Sequence, residues 1–163
     1  MAPVVENADE LTFKERKVTL ASEYDCVILV GDLNYRINGC LKSVIAAIEK
    51  NMFEDLMFND QLRFDMKTGR VPGFTEGPVK FAPTYKRKAG VNNEVSLKRN
   101  PSWTDRILYK FNAQTCDLTQ KSYDSNNLLT LSDHRPVFSQ FVLRYRLKSG
   151  TDDNSVNPVK DQF

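Results

Sequence analysis

The amino-acid sequence predicts a layered domain of the α/β or α+β class, and three patterns support this prediction. A run of apolar residues at 26–30 ends in Gly31, which is typical of a short buried strand. Apolar residues recur at helical spacing over 41–50, which predicts an amphipathic helix. Apolar and polar residues alternate over 136–147, which is typical of a half-buried strand. Helices and strands mixed in this way indicate sheets packed against helices.

The remaining elements follow from local composition. Leu56 and Leu62 are candidate core positions of a further helix, and clustered glycines and prolines predict a long loop after it. The last residues contain little that could be buried. The predicted elements, in chain order, are a short helix near 11–20, a helix over 53–64, a loop over 67–86 with a brief strand at 79–81, an exposed basic loop at 92–100, a strand at 106–111 and a disordered tail at 148–163.

Composition excludes several classes of protein. The 163 residues carry 23 basic and 21 acidic side chains, and a net charge of +2 argues against bulk binding of nucleic acid. Cys26, Cys40 and Cys116 are widely spaced and fit neither a disulfide framework nor a zinc site, which favours a reducing compartment. Neither a secretion signal nor an apolar stretch of about 20 residues is present. We expect a soluble cytoplasmic protein.

Asp32 and Asn34 directly follow the first strand, in the stretch GDLN. Residues two apart on a strand share a face, so both side chains could project from its carboxyl end. A carboxylate can accept a proton from water or bind a metal, and a carboxamide can donate to an oxyanion. The alternative is an ordinary turn, because glycine, aspartate and asparagine all favour turns.

His134, the single histidine of the chain, follows Asp133. A carboxylate beside an imidazole can fix its tautomer and favour its charged form, which suits general acid chemistry or contact with a phosphate. The alternative is an incidental histidine in a loop.

Two basic stretches that contain aromatic residues suit phosphate-bearing ligands. The first contains Tyr85 and Lys86, and the second contains Lys98, Arg99 and Trp103. The alternatives are a solvated basic loop for the first, and for the second a core tryptophan beside a structural pair formed by Asp105 and Arg106.

Taken together, these stretches resemble one known family. GDLNYRI, DQL, GFTEG, FAPTYK, PSWTDRILYK and SDHRPV occur in the same order as in the inositol polyphosphate 5-phosphatases of the endonuclease/exonuclease/phosphatase superfamily. The resemblance implies a four-layer α/β sandwich, of which residues 23–147 would form the C-terminal half. Residues 1–22 would be a truncated start of the domain, and 148–163 its tail.

The resemblance also implies a reaction and roles for residues. The reaction is Mg²⁺-dependent hydrolysis of the 5-phosphate of a phosphoinositide lipid or a soluble inositol phosphate, at the periphery of a membrane. Asp32 would orient or deprotonate the attacking water, Asn34 would hold the phosphate, and His134 would stabilise its charge with Asp133 beside it. The other assigned residues are Tyr85, Lys86, Lys98 and Arg99 as substrate-binding residues and Arg36, Asp105 and Arg106 as supporting residues.

The family's main metal-binding glutamate and a further catalytic histidine have no counterpart in the 163 residues. The metal ligands are therefore unknown, and we expect this chain to be nearly inactive by itself. Half of a sandwich would leave an apolar sheet face that a partner chain could cover. Two other hypotheses are a non-catalytic module that binds phosphoinositides or a partner protein, and an Mg²⁺-dependent nuclease of the same superfamily.

Overall fold

The structure is a computed structural model that describes residues 23–91 and 94–146. The helix predicted near 11–20 and the tail predicted at 148–163 lie outside the described residues. The elements in chain order are strand β1 (Cys26–Asp32), helices α1 (Leu41–Glu49), α2 (Phe53–Met57) and α3 (Gln61–Lys67), and strands β2 (Thr75–Glu76), β3 (Asp105–Phe111), β4 (Cys116–Ser125) and β5 (Val137–Tyr145).

The described strands form two antiparallel sheets. One sheet has the order β1-β3-β2, and the other pairs β4 with β5. The sheets meet where the rings of Tyr109 and Phe141 pack edge to face with centroids 5.2 Å apart. The Tyr123 hydroxyl also accepts a hydrogen bond from the backbone of Ile107 at 3.1 Å. This combination of sheets and helices confirms the α/β class.

Helix α1 confirms the prediction over 41–50. Its apolar face buries Val44 against the core, and Ala47 and Ile48 pack beside it. Asn51 follows with a positive φ of 54°, a left-handed conformation that asparagine tolerates and that cannot continue a helix.

The single helix predicted over 53–64 is wrong, because the chain forms two short helices there. Asp60 has an extended backbone between them, and its side chain accepts from the backbone N–H of Arg63 at 3.0 Å, which caps α3. The same carboxylate forms a buried ion pair with Arg106. The break in the helix therefore places Asp60 beside a distant guanidinium, which local periodicity cannot indicate.

The core lies between the helices and the loop that precedes β3. Trp103 is fully buried, as one of the two hypotheses for it states, and its indole N–H donates to the backbone of Phe81 at 2.9 Å. The strand predicted at 79–81 is wrong, since the short strand lies at Thr75–Glu76. Val79 and Phe81 are buried as irregular chain instead.

Strand β1 is present as predicted and extends to Asp32, but it is not buried. Ile28, Leu29 and Val30 are 44%, 41% and 62% exposed. In the described part of the chain, the sheet order leaves β1 at an edge with one side unpaired. An exposed apolar edge strand of this kind offers a surface to which another polypeptide segment can pack or pair.

The strands toward the end of the described chain were predicted unevenly. The strands predicted at 106–111 and 136–147 correspond to β3 (Asp105–Phe111) and β5 (Val137–Tyr145). Leu143 and Tyr145, two of the apolar positions in the alternation that predicted a half-buried strand, are 47% and 67% exposed. Strand β4 was not predicted, because polar residues fill most of its positions and only Cys116, Leu118 and Ser125 are buried.

Candidate active site

The pairing of β1 with β3 places two carboxylates side by side. Asp32 and Asp105 are direct partners in the antiparallel register. Directly opposed residues project from the same face of a sheet with Cβ atoms about 5 Å apart. Leu33 extends the pairing by donating to the backbone of Thr104 at 2.8 Å. The end of β1 therefore delivers Asp32 to the position where β3 begins.

Asn34 reaches this position through a turn and not along a strand face. Strand β1 ends at Asp32, and Asn34 has a positive φ of 59°. Its backbone N–H donates to Oδ1 of Asp32 at 2.9 Å, which is an Asx turn. The expectation that both residues lie on one strand face is wrong. The turn hypothesis is correct, and the turn itself brings the carboxamide beside the carboxylate.

His134 is held by Asp105. Nδ1 of the imidazole lies 3.0 Å and 3.2 Å from the two carboxylate oxygens. Oδ2 of Asp105 also accepts from the hydroxyls of Thr84 at 2.8 Å and Thr104 at 3.0 Å. Because an ionised carboxylate only accepts, Nδ1 is the protonated nitrogen and Nε2 is left for a ligand.

Asp32, Asp105 and His134 each offer one ligand atom, and these atoms lie within 4.8 Å of one another. They come from the end of β1, the start of β3 and the loop before β5. The structure thus brings together residues that are about a hundred positions apart in the sequence.

Tyr85 and Arg36 form a stacked layer beside the imidazole. The ring centroids of Tyr85 and His134 are 4.5 Å apart, and the guanidinium carbon of Arg36 lies 4.5 Å from the centre of the Tyr85 ring. Arg36 also donates to the carboxamide oxygen of Asn34. A cation over an aromatic face is attracted by its negative quadrupole, so this layer connects Asn34 to His134 through defined contacts.

Asp133 and Lys86 form an ion pair at the edge of the site, with Nζ 2.6 Å from Oδ2. The hydrogen bond from Lys86 lowers the pKa of Asp133, and the same bond raises the pKa of Lys86. Both side chains are partly exposed. Asp133 is therefore turned toward Lys86, and its neighbour His134 is turned toward Asp105.

Arg106 does not take part in the site. It is fully buried and binds Asp60 at 2.9 Å and Glu76 at 2.6 Å. Burial alone would lower the pKa of Arg106, but hydrogen bonds and charge from the two carboxylates outweigh burial and raise it. Adjacent residues of a strand point to opposite faces, so the hypothesis of a structural pair between Asp105 and Arg106 is wrong.

Lys98 and Arg99 lie outside the cluster around His134. Lys98 is exposed at the rim of a cavity of about 840 Å³ beside α1. Arg99 is exposed, and its positive charge acts on Lys86. Neither forms an ion pair within the described chain, so both remain available to an anion.

Thr84 and Thr104 are site residues that sequence reasoning missed. Both are fully buried, and both hydroxyls bind the carboxylate that holds His134. Thr84 directly precedes Tyr85, and Thr104 directly precedes Asp105. This adjacency to predicted site residues is the only indication of their role in the sequence.

The described residues can supply some, but not all, of the ligands of an Mg²⁺ site. Mg²⁺ takes about six oxygen ligands in octahedral geometry. Asp105 already receives three hydrogen bonds at Oδ2, and Asp133 is paired with Lys86. Asp32 accepts a hydrogen bond at Oδ1 from the backbone of Asn34, so its Oδ2 is an oxygen that could bind a cation. Water, substrate or further protein ligands would have to supply the other positions.

Comparison with known proteins supports the resemblance. The family described as Endonuclease/Exonuclease/phosphatase family 2 matches residues 4–140. Phosphatidylinositol 4,5-bisphosphate 5-phosphatase A of Mus musculus is 39% identical over 142 residues, which cover 77% of this chain and 14% of that protein. Inositol polyphosphate 5-phosphatase K of Mus musculus is 32% identical over 93% of this chain and 34% of that protein. The chain thus spans about a third or less of the length of these two relatives.

Solved structures give the same fold. The inositol polyphosphate 5-phosphatase domain of SPsynaptojanin, in complex with inositol (1,4)-bisphosphate and calcium ion, matches with a TM-score of 0.67 and 34% identity, over 89% of this chain and 46% of that one. Cimex nitrophorin, as a ferrous NO complex, also matches with a TM-score of 0.67, at 35% identity over 72% of this chain and 41% of that one. The same fold therefore occurs in proteins that are named for different ligands.

Proposed function

The chain belongs to Endonuclease/Exonuclease/phosphatase family 2 and, within it, to the inositol polyphosphate 5-phosphatases, and we propose that its site binds and hydrolyses the 5-phosphate of an inositol phosphate or phosphoinositide. The observation that supports this most strongly is the convergence of Asp32, Asp105 and His134 within 4.8 Å. We further propose that the protein acts in the cytoplasm, at the periphery of membranes. The relatives' names support the proposed substrate class, and the convergence of the three side chains supports the proposed phosphate site.

In this proposal each side chain has one task. Hydrolysis of a phosphate monoester spreads negative charge over several oxygens, so donors placed around the phosphate supply much of the catalysis. Nε2 of His134 faces outward because Nδ1 is held by Asp105, and Asn34 offers its carboxamide nitrogen while Arg36 binds its oxygen. Oδ2 of Asp32 would orient the attacking water or accept its proton.

Tyr85 and Lys86 would contact a second phosphate of the substrate. Tyr85 stacks on His134, and Lys86 follows it directly, so both lie beside the place proposed for the first phosphate. Lys98 and Arg99 would add long-range attraction for a polyanion, because neither is neutralised by an ion pair in the described chain. Preference among inositol phosphates would depend on these residues.

Mg²⁺ is the proposed metal, and Asp32 is the residue of this chain that would bind it. When bound, a divalent cation stabilises charge on phosphate oxygens. Since Asp32 is one ligand of about six, we expect this chain by itself to bind inositol phosphates but to release phosphate at a negligible rate.

The test measures binding and turnover separately on the 163-residue chain. Titration with inositol 1,4,5-trisphosphate, followed by NMR, should show binding that Lys86→Ala or His134→Ala weakens about tenfold or more. Lys121→Ala is the matched control, since Lys121 is exposed on β4 away from these residues. Absence of binding, or equal loss in the control, would contradict the proposal. Release of phosphate with Mg²⁺ that Asp32→Ala abolishes would show that the chain is a complete enzyme and that its predicted inactivity is wrong.

A second candidate is a non-catalytic module that binds phosphoinositides. Two observations favour it: the described site supplies few metal ligands, and a nitrophorin shares the fold at 35% identity. Lipid binding that Lys86→Ala weakens and Asp32→Ala leaves unchanged, without turnover at any Mg²⁺ concentration, would support this candidate.

A further inference from the structure

A groove lies between helices α2 and α3 and the chain on either side of β2. We call it the α2–α3 groove. Its cavity volume is about 710 Å³, which lies within the range of ligand-binding pockets. It includes no residue of β1 and none of the residues assigned to the candidate active site. Its apolar lining consists of Met57, Phe58, Met66, Phe74, Pro78 and Val79.

The apolar lining has the composition of a surface that binds other polypeptides. Two of the four methionines of the chain, Met57 and Met66, line the groove. Methionine adapts its shape to a partner, and phenylalanine, methionine and arginine are enriched at protein interfaces. Met57 and Val79 are buried, whereas Phe58 is 74% exposed. The groove therefore offers a concave apolar surface with one large ring left in water.

The exposed charged residues that line the groove are mostly basic. Arg63, Lys67 and Lys80 are exposed, and none of them has a carboxylate of the described residues within ion-pair distance. Glu76 also lines the groove, but its side chain is 7% exposed and already forms a buried ion pair. Glu54 is the one exposed acidic residue of the described lining. The groove therefore attracts acidic ligands.

Two basic side chains lie over aromatic rings of the lining. The guanidinium carbon of Arg63 is 4.9 Å from the centre of the Phe58 ring, and Nζ of Lys110 is 5.6 Å from the centre of the Phe74 ring. A cation in this position is attracted by the ring and keeps N–H groups for other partners. Each ring thus has a positive charge beside it. A ligand that matches this surface carries apolar groups and carboxylates next to each other.

We propose that the α2–α3 groove binds an acidic amphipathic helix of a partner protein. Apolar side chains at i, i+3, i+4 and i+7 of such a helix would occupy the groove. Glutamates or aspartates beside them would pair with Arg63, Lys67 and Lys80. The inference does not depend on the proposed function, because the groove and the candidate active site share no residue.

An anionic lipid bilayer is the alternative ligand, since exposed cations also attract acidic head groups. The shape of the surface favours the helix. Met57 and Val79 are only 8% and 7% exposed, so neither side chain protrudes far enough to enter a bilayer. A helix, by contrast, presents a ridge of side chains that can reach into a groove.

The experiment uses the methionine methyl groups of the full 163-residue chain as probes. The ligand is a synthetic peptide of about 15 residues with leucine at i, i+3, i+4 and i+7 and glutamate at the positions beside them. In ¹H–¹³C NMR spectra, titration with this peptide should shift the methyl signals of Met57 and Met66. Met52 is the internal control, because it is 44% exposed but does not line the groove, so its methyl signal should not move.

Reversal of charge tests the basic residues of the groove. The double variant Lys67→Glu, Lys80→Glu should bind the peptide about tenfold or more weakly, because two attractions become repulsions. The matched control is Arg144→Glu, Arg146→Glu, which makes the same change in charge at two exposed positions near the end of the described chain. This control should bind like the unmodified chain. Equal loss in the two double variants would overturn the proposal.

Truncation of a ring tests the apolar lining. Phe58→Ala should weaken binding of the peptide about tenfold, because it removes apolar area that the helix would bury. Tyr145→Ala is the matched control, since Tyr145 is 67% exposed at the end of β5. Binding that Phe58→Ala leaves unchanged would show that the peptide does not occupy the groove.

Three further outcomes would contradict the proposal. The first is that the peptide leaves the methyl signals of Met57 and Met66 in place. The second is that a peptide with lysine at every glutamate position shifts them equally. The third is that vesicles of phosphatidylcholine and phosphatidylserine change these signals while the acidic peptide does not, which would indicate that the groove faces a membrane.

Discussion

Asp105 and Arg106 are neighbours in the sequence, yet their side chains serve opposite sides of strand β3. The carboxylate of Asp105 holds the imidazole of His134 at 3.0 Å, and the guanidinium of Arg106 holds Asp60 and Glu76 in the interior. Strand β3 thus contributes one residue to the candidate active site and the next residue to a buried network of ion pairs. Substitutions at the two positions should have different effects.

We predict that Asp105→Asn changes the tautomer of His134 without unfolding the chain. In the unmodified protein the carboxylate fixes the proton on Nδ1, whereas a carboxamide can also donate. At about pH 8, where histidine is ordinarily neutral, ¹⁵N NMR of the single imidazole should show mostly Nδ1–H. In the variant a comparable share of Nε2–H should appear. Asp124→Asn, an exposed change on β4, should leave the spectrum unchanged, and an Nδ1–H signal that persists in Asp105→Asn would contradict the assigned role.

Arg106→Leu should lower the free energy of unfolding by about 3–5 kcal/mol. The change leaves Asp60 and Glu76 without their buried cation, and breaking a buried ion pair typically costs this much. Arg144→Leu is the matched control, because its pair with Asp117 is exposed and should contribute about 1 kcal/mol or less. Urea denaturation of both variants checks the prediction. A loss at Arg106 no larger than the loss at Arg144 would show that the network does not support the fold.

Lys86→Met should raise the pKa of Asp133 toward the ordinary aspartate value of about 3.9. The hydrogen bond from Lys86 lowers this pKa in the folded protein. The pKa of Asp133 is lower in the folded chain than in the unfolded chain. The ion pair therefore stabilises the fold at pH values above the ordinary aspartate pKa. The stabilisation is lost as the pH falls through the folded pKa of Asp133.

A ¹³C titration of the Asp133 carboxyl group measures this change. Lys88→Met is the control, because Lys88 pairs with Glu94. If Lys86→Met and Lys88→Met gave the same midpoint as the unmodified chain, the ion pair would have no influence on Asp133.

Tyr123→Phe should make the protein less sensitive to alkaline pH. Burial, and next the charge of Glu76, raise the pKa of the Tyr123 hydroxyl. The unfolded chain therefore loses this proton at lower pH than the folded chain, so stability should fall as the pH rises above about 10. The variant lacks this loss, although it should be about 1–3 kcal/mol less stable at neutral pH, because the backbone N–H of Ile107 loses its acceptor. Unfolding curves recorded between neutral pH and about pH 11 would test both expectations. If the stability of the variant and of the unmodified protein fell equally as the pH rose, the expected difference in alkaline sensitivity would be contradicted.

The order of motifs in the sequence determined the family, and local periodicity determined the clearest elements. Apolar spacing located α1 and β5, because each element repeats one pattern over several turns or pleats. Periodicity failed at Asp60, where a buried ion pair interrupts a helix, and at β4, where few positions face the interior. In both places the deciding partners are distant in the sequence.

The sequence by itself identified Asp32, Asn34 and His134 as the residues to examine, because carboxylate, carboxamide and imidazole groups carry the necessary chemistry. Only the tertiary structure decided which residues they contact. Strand register set Asp32 opposite Asp105, an Asx turn brought Asn34 back to Asp32, and Asp105 turned to His134 while Arg106 turned inward. Chemical type is a local property of each residue. The direction of a side chain depends on strand pairing between segments more than seventy residues apart.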